Sequence, residues 1–192
     1  KARSGAYSWL VGHDDVASDP WTDALLLDTD GAVSDSNLFW NDTAPNSSVI
    51  TLGGAYNPVN GNNITYVMYA FAEIEGYSKF GSYIARCSCV STPNHDGIFI
   101  YLGFRPAWFL IKRTDGTGTW NVHDSVRSVD NPMQNFLLPD TTAAEQTGEA
   151  IEFLSNGVKL RSASGYFDQY TCANAVGRRE GVECRGRRGN CC

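Results

Sequence analysis

Residues 97–124 constrain the fold of this chain more than any other stretch, because they predict consecutive strands joined by short turns. Residues 98–102 are rich in β-branched and aromatic side chains, and Pro106 ends this strand because proline supplies no ladder N–H. Residues 107–111 are apolar without interruption, as expected of a strand covered on both faces. The segment therefore begins as two closely spaced strands.

The second half of the stretch predicts a tight turn and a third strand. Asp115-Gly116 is typical of a two-residue hairpin turn whose two central positions both need positive φ. From Trp120 to Asp124, apolar and polar residues alternate, which predicts one apolar and one polar face. The three strands together are predicted to form a β-meander.

Short strands separated by turn residues are predicted along the rest of the chain as well. They are 7–13, 25–27, 39–40, 49–52 and 64–73, with a Gly- and Asn-rich loop at 53–63. The one helix candidate is 141–146, where Thr142 and Glu145 have the spacing of a capping box. With 42% hydrophobic residues the chain can build a core, so the pattern predicts an all-β sandwich or barrel.

Several segments resemble one family of phage proteins. They are GFRPAWFLIKRTDGTGTW at 103–120, HDSVR at 123–127, FLLPDTTAAE at 136–145, IEFLSNGVKLR at 151–161 and TYVMYAFAE at 65–73. Together they are similar to a repeat domain of tail and other virion structural proteins of bacteriophages, particularly marine ones. The resemblance implies an antiparallel β-sandwich of the lectin-like, jelly-roll or concanavalin type, in a tail-fibre or other protein of the virion surface. It assigns no functional residue.

An internal comparison predicts the domain organisation. Shifting the chain by 111 residues superposes Trp9 on Trp120 and Val11 on Val122, with six identities in 24 positions. Such self-similarity indicates a repeat. We expect residues 1–74 to be the rear part of a first β repeat, cut from a longer protein, and residues 75–170 to be a second. Separate domains and one sheet completing the other both remain open.

Residues 171–192 are predicted to be a basic C-terminal arm. Five Arg against two Glu give this segment +3, which leaves −9 for the remainder of a chain whose formal charge is −6. An acidic body argues against binding nucleic acid through its phosphates, and no apolar run approaches the roughly 20 residues of a membrane span. The arm is suited to an acidic neighbour in an assembly.

The six cysteines are predicted to serve assembly. They are Cys87, Cys89, Cys172, Cys184, Cys191 and Cys192. On an extracellular particle, disulfides would tie the arm to the body or to a neighbour, although the even count does not determine the connectivity. A zinc site built from the first four cysteines stays open, although their spacing is not the usual two to four residues in both ligand pairs, and unpaired thiols are the other alternative.

The sequence offers no catalytic machinery that we would assign. Each of the three histidines precedes an aspartate, but neighbours in a strand point to opposite faces, so we expect polar surface residues. Glu73 and Glu75 have the spacing of a glycosidase pair, which is also ordinary for an exposed strand end. Asp28-Thr29-Asp30-Gly31 begins like a calcium loop but lacks the later ligands, so a turn is preferred and no metal or cofactor is predicted.

Tryptophans are the predicted ligand contacts, because an exposed indole can stack on a sugar ring. Trp9, Trp108 and Trp120 lie within strand patterns and are expected in the core. Trp21 and Trp40 lie at loop edges and are therefore the candidate binding residues.

The function predicted is that of a non-enzymatic virion structural or adhesive protein, which assembles with itself and other virion proteins. Binding of a host surface glycan is an added role that the resemblance implies. Two alternatives stay open: a capsid decoration protein, and a polysaccharide-degrading enzyme of β-sandwich fold. The enzyme would need two acids that converge, one of them with a raised pKa.

Overall fold

The computed structural model describes residues 1–19, 21–84 and 97–162. These residues form nine strands and two helices of four residues each. The strands are β1 Leu10–Val11, β2 Asp23–Leu26, β3 Ser34–Asp35, β4 Phe99–Tyr101, β5 Trp108–Ile111, β6 Asn121–Asp124, β7 Met133–Phe136, β8 Gln146–Leu154 and β9 Gly157–Leu160. The all-β class is confirmed, and the antiparallel sheets are consistent with a sandwich-like fold. The finer jelly-roll assignment stays a prediction.

The chain divides into two compact units, each built from separated segments. The first consists of Lys1–Ser82, Leu110–Val122 and Leu137–Gln146. The second contains the described residues of Tyr83–Phe109 and His123–Phe136 and those from Thr147 onward. The division falls within β5 and β6, whereas a sequence repeat would divide the chain once. The predicted repeat boundaries remain untested.

The sheet of the first unit has the order β1-β2-β3. Leu10 pairs with Leu26, and Asp23 pairs with Asp35, both in antiparallel register. Strand β2 is covered on both faces, because Ala24 belongs to one core cluster and Leu25 to another. The first cluster also contains Phe39, Trp40 and Val59, and the second contains Val16 and Trp120.

Residues 39–40, predicted to be a strand, instead end the short helix α1, Asn37–Trp40. The Ser36 side chain accepts the N–H of Leu38, and Asn41 closes the turn in the left-handed region at φ 55°. These caps satisfy groups that a helix end leaves without partners. A second helix, α2, Asn57–Asn60, lies within the predicted 53–63 loop, with Pro at its first turn.

The sheet of the second unit has the order β4-β9-β8-β7, so β4 is an edge strand among the described residues. Because β4 pairs with β9 and not with β5, the predicted β-meander is wrong. Phe99 pairs with Lys159, which pairs on its other side with Glu152. One face of β8 and β9 is buried, with exposures of 2% or less for Ile151, Phe153, Val158 and Leu160. The strand predicted at 98–102 is confirmed as β4, one residue shorter at each end.

The connection from β5 to β6 is longer than the predicted two-residue hairpin at Asp115-Gly116. It spans residues 112–120, and neither predicted turn residue has positive φ. The loop is bound to an earlier turn of the same unit: Val33 N–H donates to Thr114 O, and Gly118 N–H donates to Asp30 O. These tertiary hydrogen bonds replace the local turn.

Two burial predictions on β5 and β6 are wrong. Trp108 was expected in the core and is 57% exposed, while Ile111 at the other end of β5 is buried. On β6 the polar residues Asn121 and His123 are the buried ones, so His123 is not a surface residue. On β6 the sequence pattern predicted that the two faces of the strand alternate, but it did not predict which face is buried against the rest of the protein.

Residues 141–146 do not form the predicted helix. The N–H of Thr141 donates to Leu138 O, and its hydroxyl accepts the N–H of Ala143. This local side-chain bond is the kind that competes with helix formation. Strand β8 then begins at Gln146.

Candidate functional site

The most unusual surface of the first unit is an exposed apolar stretch at residues 68–80, which we call the apolar segment. Phe71 is 79% exposed and Tyr77 is 77% exposed. Further side chains of the segment that are exposed by more than half are Met68, Tyr69 and Ile74. Large apolar groups gathered on one surface are typical of an interaction site.

The backbone of the apolar segment is paired only in part: Ser78 Oγ donates to Ala72 O at 2.7 Å, and Ile74 N–H donates to Ser78 O. The preceding residues pair with the first residues of the chain: Tyr66 forms a bridge with Ala2, and Val67 N–H donates to Lys1 O. From 68 to 73 the backbone N–H groups make no hydrogen bond within the described residues. The sequence predicted a strand at 64–73, and the structure gives that strand one bridge at Tyr66 and no ladder beyond it.

Ring contacts give the apolar segment a defined shape. Tyr69 stacks on Trp9 with ring centroids 6.1 Å apart, and Phe71 lies 6.3 Å from Phe80. Between them, Ile74 and Ser78 form an antiparallel bridge, and Gly76 adopts φ 74° in the turn that this bridge closes. The exposed side chains are thus held in place rather than buried.

Glu73, one of the two acids with glycosidase spacing, is held in its ionised form within this segment. Its carboxylate accepts from Lys79 Nζ at 2.7 Å and from the backbone N–H of Phe80 at 3.1 Å. The hydrogen bond from Lys79 lowers the pKa of Glu73, and the Phe80 N–H adds to the effect. A catalytic acid needs the opposite shift, so the local electrostatics suit a structural role.

The predicted ligand residues Trp21 and Trp40 lie together, with ring centroids 5.7 Å apart in an edge-to-face arrangement. Trp40 is 8% exposed and donates its indole N–H to Asp23 O, so its ring belongs to the core and has little surface for a sugar. Trp21 is half-buried and donates to Asp14. Binding at Trp21 stays a prediction.

An electrostatic cluster that the sequence did not reveal lies in the first unit at Asp30, Lys112 and Asp140. Burial raises the pKa of Asp140, and the charge of Asp30 raises it further. Burial lowers the pKa of Lys112, whose Nζ donates to Arg113 O at 2.6 Å and to Asp30 O at 3.3 Å. No sequence motif contains these residues, because Asp30, Lys112 and Asp140 come from three separate segments of the chain.

Three side-chain oxygens of Asp140 and of residues 119–121 are buried. Asp140 Oδ2, Thr119 Oγ1 and Asn121 Oδ1 have no hydrogen-bond partner within the described residues. Among those residues no group of three His, Cys, Asp or Glu side chains is arranged to hold a metal ion. The raised pKa of Asp140 beside the charges of Asp30 and Lys112 is the feature of this cluster with a chemical implication.

The predicted assembly cysteines lie outside the described residues. Cys87 and Cys89 fall in 85–96, and the other four follow residue 162. The arm at 171–192 and its pairing therefore stay predictions. In the part of the chain that is described, no helix is both long and apolar enough to cross a membrane.

Comparison with known proteins places the chain in a family. A family model described as a domain of unknown function, DUF7483, matches residues 1–172. Neither a curated protein nor a solved structure matches the chain. These matches contain nothing that tests the resemblance to phage virion repeats, which stays a prediction. Because the model covers most of the chain, the protein belongs to the DUF7483 family.

Proposed function

We propose that this member of the DUF7483 family is a non-enzymatic structural and adhesive protein of a phage virion, in a tail fibre or associated with the tail. It assembles with copies of itself through the apolar segment. The observation that carries the proposal is the coincidence, at residues 68–73, of exposed apolar side chains with backbone N–H groups that find no acceptor among the described residues. The phage setting is supported by the sequence resemblance alone.

A second copy is the occupant that best fits an unpaired strand of this kind. Two identical strands that pair antiparallel are related by a two-fold axis, which gives a closed symmetric dimer. Pairing of 68–73 with its counterpart would satisfy backbone groups that now face water, and it would cover an exposed edge. Side chains such as Tyr69 and Phe71 would then lie across the same axis.

The area of the apolar segment is sufficient for such an interface. Covering its exposed apolar side chains would remove roughly 700 Å² per copy from water, given their exposures and the usual size of these residues. A standard specific interface removes about 800 Å² per partner. The area of the segment therefore lies within the range of a standard interface, which is about 600–1,000 Å² per partner.

Light scattering on the purified chain tests the proposal. Phe71→Lys places a charge in the interface, and Ala70→Pro removes a backbone N–H from the pairing strand. We expect the wild-type chain to be a multimer and both variants to dissociate at least tenfold more readily. The matched control is Val49→Lys, at a side chain that is 56% exposed outside the segment.

The outcome is read together with circular dichroism, so that a folding defect is not mistaken for dissociation. A wild-type monomer at all concentrations would rule out intrinsic self-assembly. A multimer that ignores both variants but dissociates with reductant would assign assembly to the cysteines instead. The capsid-decoration alternative rests on 171–192, outside the described residues.

A polysaccharide-degrading activity is the second candidate, and the electrostatic cluster of Asp30, Lys112 and Asp140 is the observation that favours it. A glycosidase needs one carboxyl that stays protonated near neutral pH beside one that is ionised, and burial raises the pKa of Asp140 in that direction. Release of reducing sugar from bacterial polysaccharide, lost in Asp140→Asn and kept in the exposed Asp15→Asn, would establish this function. Equal release by both variants would exclude Asp140.

A further inference from the structure

A second aromatic surface lies in the other unit, on the outer face of the β4-β9-β8 sheet. Along this face Phe99 and Tyr101 alternate with the inward Ile100, and they are 40% and 67% exposed. Two rings at i and i+2 of one strand lie roughly 7 Å apart and point the same way. They form a short aromatic platform.

Gly157 shapes this platform. It pairs with Tyr101, and a Cβ at this position would stand 2.9 Å from the ring of Phe99 and 2.2 Å from Ile100 O. The absence of a side chain lets the Phe99 ring lie down across the sheet rather than stand away from it. A glycine is therefore required here by close approach.

Polar groups border the rings on the same face. Lys159 pairs with Phe99 and Glu152 is its next neighbour across the sheet. Arg161 donates to a Glu152 oxygen at 2.9 Å, and both side chains retain some exposure. A planar guanidinium and a carboxylate side by side offer donors and acceptors for vicinal hydroxyl groups.

We infer that this face, which we call the sheet platform, binds a glycan chain. The two rings stack on the apolar faces of pyranose units while the Glu152–Arg161 pair binds their hydroxyls. The inference rests on the adhesive part of the proposed function and gives it a location different from Trp21 and Trp40.

The size of the platform argues for a small polar ligand rather than another protein. Covering Phe99 and Tyr101 would remove roughly 200 Å² from water. That is a fraction of the ~800 Å² per partner of a specific protein interface. A protein partner would need a much larger apolar surface around the rings, whereas Lys159, Glu152 and Arg161 beside them are charged and Leu154 is the apolar neighbour across Gly157.

A printed array of neutral hexose and N-acetylhexosamine oligosaccharides, followed by calorimetric titration of the best binder, tests the inference. We expect Tyr101→Ala to weaken binding about 3- to 10-fold and the double variant with Phe99→Ala about 10- to 100-fold, while Tyr101→Trp keeps binding. Glu152→Gln should weaken binding through the hydroxyl contacts. The matched control is Trp108→Ala, an exposed aromatic side chain on β5, which lies outside this sheet.

The possible outcomes separate a failure of the sheet platform from a failure of the proposed adhesive role. If the wild-type chain binds no array glycan, both the platform and the adhesive role fail, and self-assembly is still judged by light scattering. If a glycan binds but Tyr101→Ala and Glu152→Gln leave its affinity unchanged, the adhesive role stands and the platform is overturned. If Tyr101→Ala changes the molar mass instead, the face is a protein interface and the inference is overturned.

Discussion

Asp140 Oδ1 accepts a hydrogen bond from the backbone N–H of Trp120 at 3.2 Å. Between these residues the chain runs out along β6 and returns, and Val122 forms an antiparallel bridge with Leu137. The Trp120 ring is buried, and its indole N–H donates to Leu26 O. The carboxylate thus fixes the backbone of the residue just before β6, whose side chain enters the core.

The same relationship occurs between Asp28 and Trp9. Asp28 Oδ1 accepts the backbone N–H of Trp9 at 3.1 Å, and Val11 pairs antiparallel with Leu25. The separation is 19 residues here and 20 for Asp140 and Trp120. Two such arrangements, differing by one residue, are what an internal repeat would produce. The repeat itself stays a prediction.

Replacing Asp140 by alanine is expected to destabilise the protein by about 1–3 kcal/mol, because the Trp120 N–H then loses its acceptor in a partly buried place. The equivalent Asp28→Ala should cost less, since that hydrogen bond is exposed and water can replace it. Urea unfolding of the two variants measures the difference. Equal losses would show that burial does not distinguish the two carboxylates.

His123 predicts a loss of stability in mild acid. Burial lowers its pKa to about 4, against about 6.5 in the unfolded chain. Between these values the unfolded state binds more protons, so the contribution is complete above pH 6.5 and is lost as pH falls to 4. The total is about 3 kcal/mol.

The measurement is the free energy of unfolding across that range in the wild-type chain and in His123→Gln. The variant lacks the titrating group, so its curve should be flatter between pH 6.5 and 4, whatever its absolute stability. Identical slopes would mean that another group is responsible. His13→Gln is the control, since His13 is not buried.

Asp23 predicts a dependence of the opposite sign. Burial raises its pKa, and Asp35, its partner across the strands, raises it further. A raised pKa in the folded state means that stability is greatest below the unfolded pKa and is lost as pH rises through the folded value. Opposed like charges are themselves destabilising.

We therefore expect Asp23→Asn to raise the free energy of unfolding at pH 7 by about 0.5–1 kcal/mol. The gain should vanish near pH 3, where the wild-type carboxyl is protonated as well. Thermal unfolding at the two pH values, with the exposed Asp15→Asn as control, measures it. A gain of the same size at pH 3 would refute the electrostatic cause.

Gly12 is predicted to be required by the packing of the tryptophan pair. A Cβ at this position would stand 2.9 Å from ring atoms of both Trp21 and Trp40. Gly12→Ala should therefore cost about 1–3 kcal/mol, as overpacking does, and should alter the tryptophan fluorescence of the folded state. Gly54→Ala is the matched control, because its Cβ would meet nothing within 4 Å. An equal loss of stability in Gly12→Ala and Gly54→Ala would show that contact with the tryptophan pair is not the cause.

Strand positions were the part of the fold that local pattern predicted best. The β-branched and aromatic run at 98–102 became β4, and the apolar run at 107–111 became β5. Local preference fails at Phe39 and Trp40, because the Ser36 and Asn41 caps and the burial of both rings favour a helix turn there. A pattern of two aromatic residues predicts a strand, and it outweighs the weaker signal of the capping residues on either side.

The sequence by itself determined the all-β class, because period-two patterns and frequent turn residues are local properties. Only the tertiary structure decided which faces are covered. Trp108 is exposed and His123 is buried, although both lie in strands of clear pattern. The apolar segment follows the same rule: its residues predict a strand, but pairing depends on whether another segment lies beside it. For the backbone N–H groups of residues 68–73, none of the described residues supplies an acceptor.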